Sequence, residues 1–179
     1  MIIGIGPGTK RLTDLVKLDK EYIAEILIGE KRSTGDMEGE VLEEKEVGEA
    51  VEILQSKIST ALTTLNGEIS LPVSAYSAIK LDGVPMYKRA RKAEKTGDIV
   101  TEVPHRMMKV YETELFKVEL MKNRAVATVR FKVGSGTYIR SLAEEIGRQI
   151  NYPATIYNLR RIKVGGFDIE MADLIDNLY

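Results

Sequence analysis

Two runs of alternating apolar and polar residues, 106–120 and 124–133, flank the tripeptide Met121-Lys122-Asn123. Side chains on a strand point to opposite faces with a period of two, so the runs read as two arms of a long β-hairpin. That hairpin commits the chain to an antiparallel sheet. Further strands are expected at residues 2–5, 21–28 and 156–164, with an extended stretch from Pro72 to Lys80. Val51, Leu54, Ile58, Ala61 or Leu62, and Leu65 recur at three- and four-residue spacings and stop before Gly67, the signature of an amphipathic helix. Ile139, Leu142, Ile146 and Ile150 mark a second such helix, with Ser135 or Thr137 as its expected cap. Thr9 to Val16 reads as a short helix and Met86 to Lys95 as a basic one. Asp168 to Leu178 reads as a last helix with Asp168 at its N-cap. Leu81-Asp82-Gly83-Val84 carries the Asp-Gly hairpin signature, and residues 30–47 are polar and turn-like. Strands and helices do not alternate strictly. The expected class is therefore α+β, a mixed but largely antiparallel sheet flanked by helices.

A length of 179 residues suits one domain with a real core. The absence of Cys excludes disulfides, thiolate metal sites and a Cys nucleophile, and a single His excludes multi-His metal centres. No metal site is expected. Apolar runs are far too short to span a membrane, and the N-terminus lacks the pattern of a secretory signal, so the chain reads as cytoplasmic. The 26 basic and 27 acidic side chains nearly cancel, which on its face argues against nucleic acid. The charges are segregated, however. Residues 30–52 carry a net of −6, residues 79–95 a net of +4 and residues 121–163 a net of +7. Such blocks either build a basic face and an acidic one or intermingle once folded.

Few motifs suggest chemistry on their own. Gly4, Gly6 and Gly8 before Lys10 mimic a phosphate-cradling loop but lack the P-loop spacing and its Lys-Ser/Thr pair, so a tight strand end is expected there. His105 follows Pro104 in a polar stretch and reads as a surface residue. The segment Gly134-Ser135-Gly136-Thr137-Tyr138-Ile139-Arg140 is more informative, because a strand ends in glycines and a helix opens with free backbone N–H groups. An Arg in a first helical turn is opposed by the helix dipole, which points to a carboxylate or phosphate partner. The plainer alternative makes Tyr138 a core residue and Arg140 a solvated one. Leu159-Arg160-Arg161 ends an apolar strand, either as a basic site or as an ordinary edge-strand charge pair.

In order along the chain, these segments resemble one family, the TruB-type tRNA pseudouridine synthases. Lys20-Glu21-Tyr22 resembles its K-x-Y strand. Residues 29–39 (GEKRSTGDMEG) resemble its G-x-x-T-x-T-x-D-x-x-G loop, with Arg32 in place of the first Thr. Residues 72–91 (PVSAYSAIKLDGVPMYKRAR) resemble its proline-led Y-S-A-x-K-x-x-G-x-x-x-Y-x-x-A-R stretch. Arg106 to Tyr111, Gly136 to Arg140 and Leu159-Arg160-Arg161 resemble later family motifs. The resemblance implies an enzyme that flips a uridine out of the tRNA T-loop, detaches its base and reattaches it through carbon, because a stacked base is out of reach. It implies a pocket of four residues: Tyr22 stacking on the base and implicated in proton transfer, Tyr138 lining the same pocket, Arg140 pairing with the catalytic aspartate, and Leu159 packing against the base. Lys80, Lys88, Arg89, Arg91, Arg160 and Arg161 are the expected RNA-binding residues, tRNA the partner, and no cofactor is implied.

The resemblance also has gaps. The family's nucleophilic aspartate lies in a G-x-L-D-P-x-A-x-G motif upstream of the segment matched by Ile2 to Lys10, and no such motif occurs in the 179 residues. The upstream His motif and the C-terminal RNA-binding extension are likewise unmatched. The expectation is a single, incomplete catalytic domain over residues 1–179, inactive alone and completed by an N-terminal segment. The alternative is a non-catalytic RNA-binding or scaffold relic of the same fold. Without the aspartate, Arg140 must reach water, a phosphate or another carboxylate, and an exposed edge or apolar groove is expected near residues 2–6 and 21–28.

Overall fold

The computed structural model describes residues 2–73, 76–77, 79–96 and 103–173. The long hairpin is its centre. Strand β7 (His105–Met121) pairs antiparallel with β8 (Arg124–Val133), and β1 (Lys20–Ile28) pairs with the other edge of β8. Strand β9 (Ala154–Val164) lines up antiparallel beyond β1, and the short β10 (Phe167–Asp168) closes that side. Strand β4 (Gly67–Pro72) forms the opposite edge, so the sheet runs β10-β9-β1-β8-β7-β4. Two small hairpins hang from it: β2 (Glu30–Arg32) with β3 (Val41–Glu44), and β5 (Lys80–Leu81) with β6 (Val84–Pro85). Asp82 and Gly83 both take positive φ, 51° and 79°, as an Asp-Gly hairpin turn requires.

One face of the sheet is covered by two helices, α2 (Val51–Leu65) on β7 and α4 (Ile139–Ile150) on β9, and these helices also touch each other. The predicted apolar stripes face inward. Leu54, Ile58, Leu62 and Leu65 of α2, with Leu142, Ile146 and Ile150 of α4, pack on Ala24, Ile26, Ala127, Val129 and Phe131 of the sheet. Burial of such a stripe contributes about 1.5–3 kcal/mol for each large side chain. The opposite face is polar. Arg130 there meets Glu112 at 2.6 Å, Glu114 at 3.0 Å and Glu21 at 3.5 Å. Among the described residues no helix is long and apolar enough to cross a membrane, and no three His, Asp or Glu converge as a metal site would need.

Several expectations change. Residues 2–5 form no strand, because no described strand lies beside them to accept their hydrogen bonds; Ile3 and Ile5 are exposed. Gly6–Arg11 instead makes a 3-10 turn that runs into α1 (Leu12–Val16). Residues 20–28 offer no free edge, since β1 is paired along both sides. The exposed apolar character lies instead at residues 2–5. Neither Ser135 nor Thr137 caps α4. Tyr138 holds the N-cap position without a side-chain bond, while Ser135 Oγ donates to Val16 O at 2.7 Å and Thr137 Oγ1 to Lys109 O at 3.3 Å. Residues 30–47 are a hairpin and its loop rather than continuous turn. Finally, α3 (Met86–Thr96) extends one residue past the basic helix expected there. At the far end Asp168 accepts from Glu170 N–H at 3.1 Å and opens a 3-10 turn (Ile169–Met171). The rest of the expected last helix lies outside the described residues.

Candidate active site

Sheet register decides which candidates meet. Alternate residues of β1, Ala24, Ile26 and Ile28, belong to the core under the helices, and Tyr22 continues that series. Directly opposed residues of an antiparallel pair share a face. Leu159 opposes Ala24 and Arg161 opposes Tyr22, so both join Tyr22 on the helix side. Arg160 opposes Ile23 and projects to the other face. Irregularities between Glu21 and Tyr22 and between Glu25 and Ile26 set this register, each adding one residue to β9. Tyr138 packs, partly buried, against the same core as Tyr22. Leu159 is 40% exposed, so its apolar surface is available beside Tyr22.

Lys20 anchors the start of β1. Its ammonium donates to Val16 O, to Leu18 O at 2.5 Å and to Ser135 Oγ at 3.4 Å, tying the end of α1 to the loop before α4. Burial, with Arg161 nearby, pushes the Lys20 ammonium below its usual range, and Asp19 opposes that shift.

Arg140 has found a carboxylate. Its Nη1 lies 3.2 Å from Asp36 Oδ2 and donates to Thr34 O at 3.0 Å. Asp36 sits on the loop between β2 and β3. Its Oδ1 accepts from Thr34 Oγ1 at 2.6 Å and from Glu38 N–H at 3.2 Å. The loop is pinned to the sheet where Ile156 N–H donates to Gly35 O at 3.0 Å, three residues before Leu159. Gly35 has φ +76°, and a Cβ there would sit 3.1 Å from Glu144 Oε1 and 3.3 Å from Arg140 Cβ, so this close approach to α4 calls for glycine. Among the described residues, Nε and Nη2 of Arg140 make no hydrogen bond. Sequence reasoning did not single out Asp36. Its signal was an Asp followed by Gly39 in a turn-rich loop, where a short carboxylate bonds the backbone two residues on.

The basic candidates are divided. Lys80 belongs to β5, and Lys88, Arg89 and Arg91 to α3. Arg89 Nη2 is committed to Leu81 O at 2.7 Å and Asp82 at 3.1 Å, and Arg91 lies over the Tyr87 ring at 5.8 Å. Arg160 and Arg161 lie on opposite faces of β9.

Glu144, one turn beyond Arg140 on α4, faces Gly35 and approaches Lys31 Nζ at 3.9 Å. Burial raises its carboxyl above the ordinary 4.5, with Lys31 and Arg140 opposing. A raised carboxyl means the folded state holds the proton more tightly. The associated stability is full below the ordinary value and is lost as pH rises through the folded value. Glu144→Gln is therefore expected to raise Tm relative to the parent at pH 7 and to leave it unchanged below pH 4, read by thermal melts. An equal shift at both pH values would contradict this.

The chain was compared with known proteins. A model of the TruB family pseudouridylate synthase (N terminal domain) matches residues 1–139. The chain belongs to the TruB family. TruB relatives named tRNA pseudouridine synthase B include that of Leifsonia xyli subsp. xyli, 34% identical over 96% of this chain and 55% of its own length. The Francisella philomiragia protein of the same name is 36% identical over 98% of this chain and 55% of its own length. The chain thus spans just over half the length of these TruB proteins. Among solved structures, an H/ACA RNP bound to a substrate RNA containing 2′-deoxyuridine aligns with a TM-score of 0.55 at 22% identity, covering 90% of this chain and 33% of that one. The archaeal box H/ACA sRNP Nop10-Cbf5 complex gives 0.52 at 22% identity, with the same coverage. This likeness is one of fold, and it agrees with the α+β class expected for a TruB-like chain.

Proposed function

We propose that this chain is the body of a tRNA pseudouridine synthase domain that isomerises uridine to pseudouridine in the T-loop, its nucleophilic aspartate coming from residues outside these 179. The observation that carries the reading is the state of Arg140. One end of its guanidinium fork is fixed by Asp36 and Thr34 O, while Nε and Nη2 stay uncommitted. An Arg fork binds a carboxylate through two parallel N–H groups, so this geometry receives a second carboxylate without releasing the first. Tyr22 and Leu159 share one sheet face and supply an aromatic ring and an apolar side chain against a flipped base, and Tyr138 packs against the same core as Tyr22. In the reaction the bond from uracil N1 to the ribose breaks, a bond from C5 to the same ribose carbon forms, the C5 hydrogen leaves as a proton, and N1 takes up a proton, so that product and substrate are isomers.

We treat residues 1–179 as one domain, because β1 and β9 from its two ends are neighbours in one sheet. Lys80, Lys88, Arg91, Arg160 and Arg161 are assigned to phosphates of the T-arm, and Arg89, already engaged, to a lesser share.

Tritium release from [5-³H]uridine-labelled T-arm RNA tests the reaction. The 179-residue chain is expected to release none, and a form extended upstream to include a G-x-L-D-P-x-A-x-G motif is expected to turn over. Turnover by the 179 residues alone would refute the external aspartate. Inactivity of the extended form would leave the relic alternative. Binding is expected to weaken with salt, each phosphate contact contributing about 0.7–0.9 to the slope of log K against log salt. Replacing Arg161 or Lys88 by Ala should reduce the slope by about one contact. Salt-independent binding would overturn the RNA assignment.

A further inference from the structure

Arg32 stands where the family pattern has a Thr, and it does something a Thr hydroxyl is too short to do. Its side chain turns back across the loop that joins β2 to β3. Nη1 donates to Gly39 O at 3.0 Å and to Met37 O at 3.2 Å, while Nε donates to Glu30 Oε1 at 2.6 Å. Glu30 is buried, with Arg124 Nε 3.8 Å from its other oxygen. Arg124 in turn reaches Glu44 on β3. Both strands of the small hairpin are thus fastened to the start of β8, and the fastening ends on two loop carbonyls that closely follow Asp36, those of Met37 and Gly39.

The loop is closed tightly around this brace. Ser33 N–H donates to Glu40 O at 2.9 Å, and Gly39 N–H to Asp36 O at 3.3 Å. A Cβ on Gly39 would fall 2.5 Å from Thr34 Oγ1 and 2.6 Å from Thr34 N. The segment therefore has little room to relax around a missing support. Asp36 faces Arg140, and Arg32 holds the backbone just after it.

We propose that Arg32 is a positioning residue: by holding Met37 O and Gly39 O it fixes the loop in the one arrangement that brings Asp36 onto Arg140. It touches neither member of the pair and acts through the loop backbone. Its consequence for catalysis rests on the function proposed above, but its effect on the pair does not.

The test reads the pair directly. In ¹⁵N-labelled 179-residue protein, the Arg140 Nε–H and guanidinium signals are followed by NMR, with the amides of β7 and β8 as a check on the fold. Arg32→Thr, which restores the family residue, is expected to speed exchange of the Arg140 Nη1 protons, which face Asp36 and bond Thr34 O, by about tenfold, the equivalent of one charge-assisted hydrogen bond, and to shift the Glu38 amide. Arg32→Lys is expected to fall between, because a point charge reaches the carbonyls but cannot also keep the Glu30 bond in fork geometry. Unchanged Arg140 exchange in a folded Arg32→Thr protein would overturn the proposal. Should the variants fail to fold, native-state exchange of the parent in rising urea decides. Arg32 Nε–H, Glu38 N–H and the Ile156 N–H that bonds Gly35 O opening with one common urea dependence supports the brace, and separate openings overturn it. In a turnover-competent extended form, Arg32→Thr is expected to lower kcat with little change in KM. A variant that loses the Arg140 signature yet keeps full kcat would refute the catalytic role of Arg140 and leave the brace standing.

Discussion

Arg140→Ala, introduced into an extended, turnover-competent form of the protein, is expected to lower tritium release by about 10²- to 10³-fold, the loss typical when one fixed donor to developing charge is removed. The reason is local. The guanidinium is the cation that one half-exposed carboxylate, Asp36, already orients, and its uncommitted nitrogens are the donors available to a second. Alanine removes both functions and strands Asp36. Its Oδ1 keeps the Thr34 and Glu38 bonds, while Oδ2 is left to water. Because the pair is partly solvated, its loss should cost little stability, so folding and turnover are separable here. Tyr22→Phe and Tyr138→Phe in the same form should also lower turnover, the first by removing the hydroxyl that the proposed function assigns to proton transfer. Near-parental activity of all three variants would sink the site assignment. Asp36→Asn is the informative control. It keeps an acceptor for Thr34 Oγ1 and Glu38 N–H but removes the charge facing Arg140, so a smaller loss than Arg140→Ala is expected.

The second large effect is on stability. Phe131→Ala is expected to destabilise the fold by about 3–5 kcal/mol. Phe131 is fully buried near the C-terminal end of β8, opposed by Tyr22 on β1 and by Thr113 on β7. Both neighbouring strands are held by ladder hydrogen bonds, so the surroundings cannot collapse into the space a benzyl group leaves, and the cavity term is large. For a chain of this length the change corresponds to a Tm fall of about 10 °C. Phe131→Leu fills most of the volume and should cost less than half as much. The position also links packing to the site, since Tyr22 rests on its register partner. A calorimetric melt of Phe131→Ala within 2–3 °C of the parent would show that this part of the core is not load-sharing as the register implies.

Elements whose evidence is periodic were legible in the residues. The hairpin of β7 and β8, the stripe of α2 and that of α4 each declare themselves within a few turns or a few alternations. Residues 2–5 looked like a strand for the same local reason. They are apolar and end at glycines, but a strand is completed only by a neighbour. Whether β1 lies inside the sheet or at its edge is likewise a statement about β9, more than a hundred residues away.

The site divides along the same line. The family resemblance carried by the ordered motifs gathered Tyr22, Tyr138, Arg140 and Leu159 as candidates, and local helix electrostatics demanded a partner for an Arg in a first helical turn. Asp36 as that partner, Arg160 and Arg161 on opposite faces, and Arg32 as a brace came only with tertiary structure. Residue type and local period are properties of a short stretch, and they set propensity, face and turn. Register, bulges and the meeting of a loop at residue 36 with a helix at residue 140 depend on how distant strands are stacked. That stacking is the minimum over the whole core, which no window of the sequence contains.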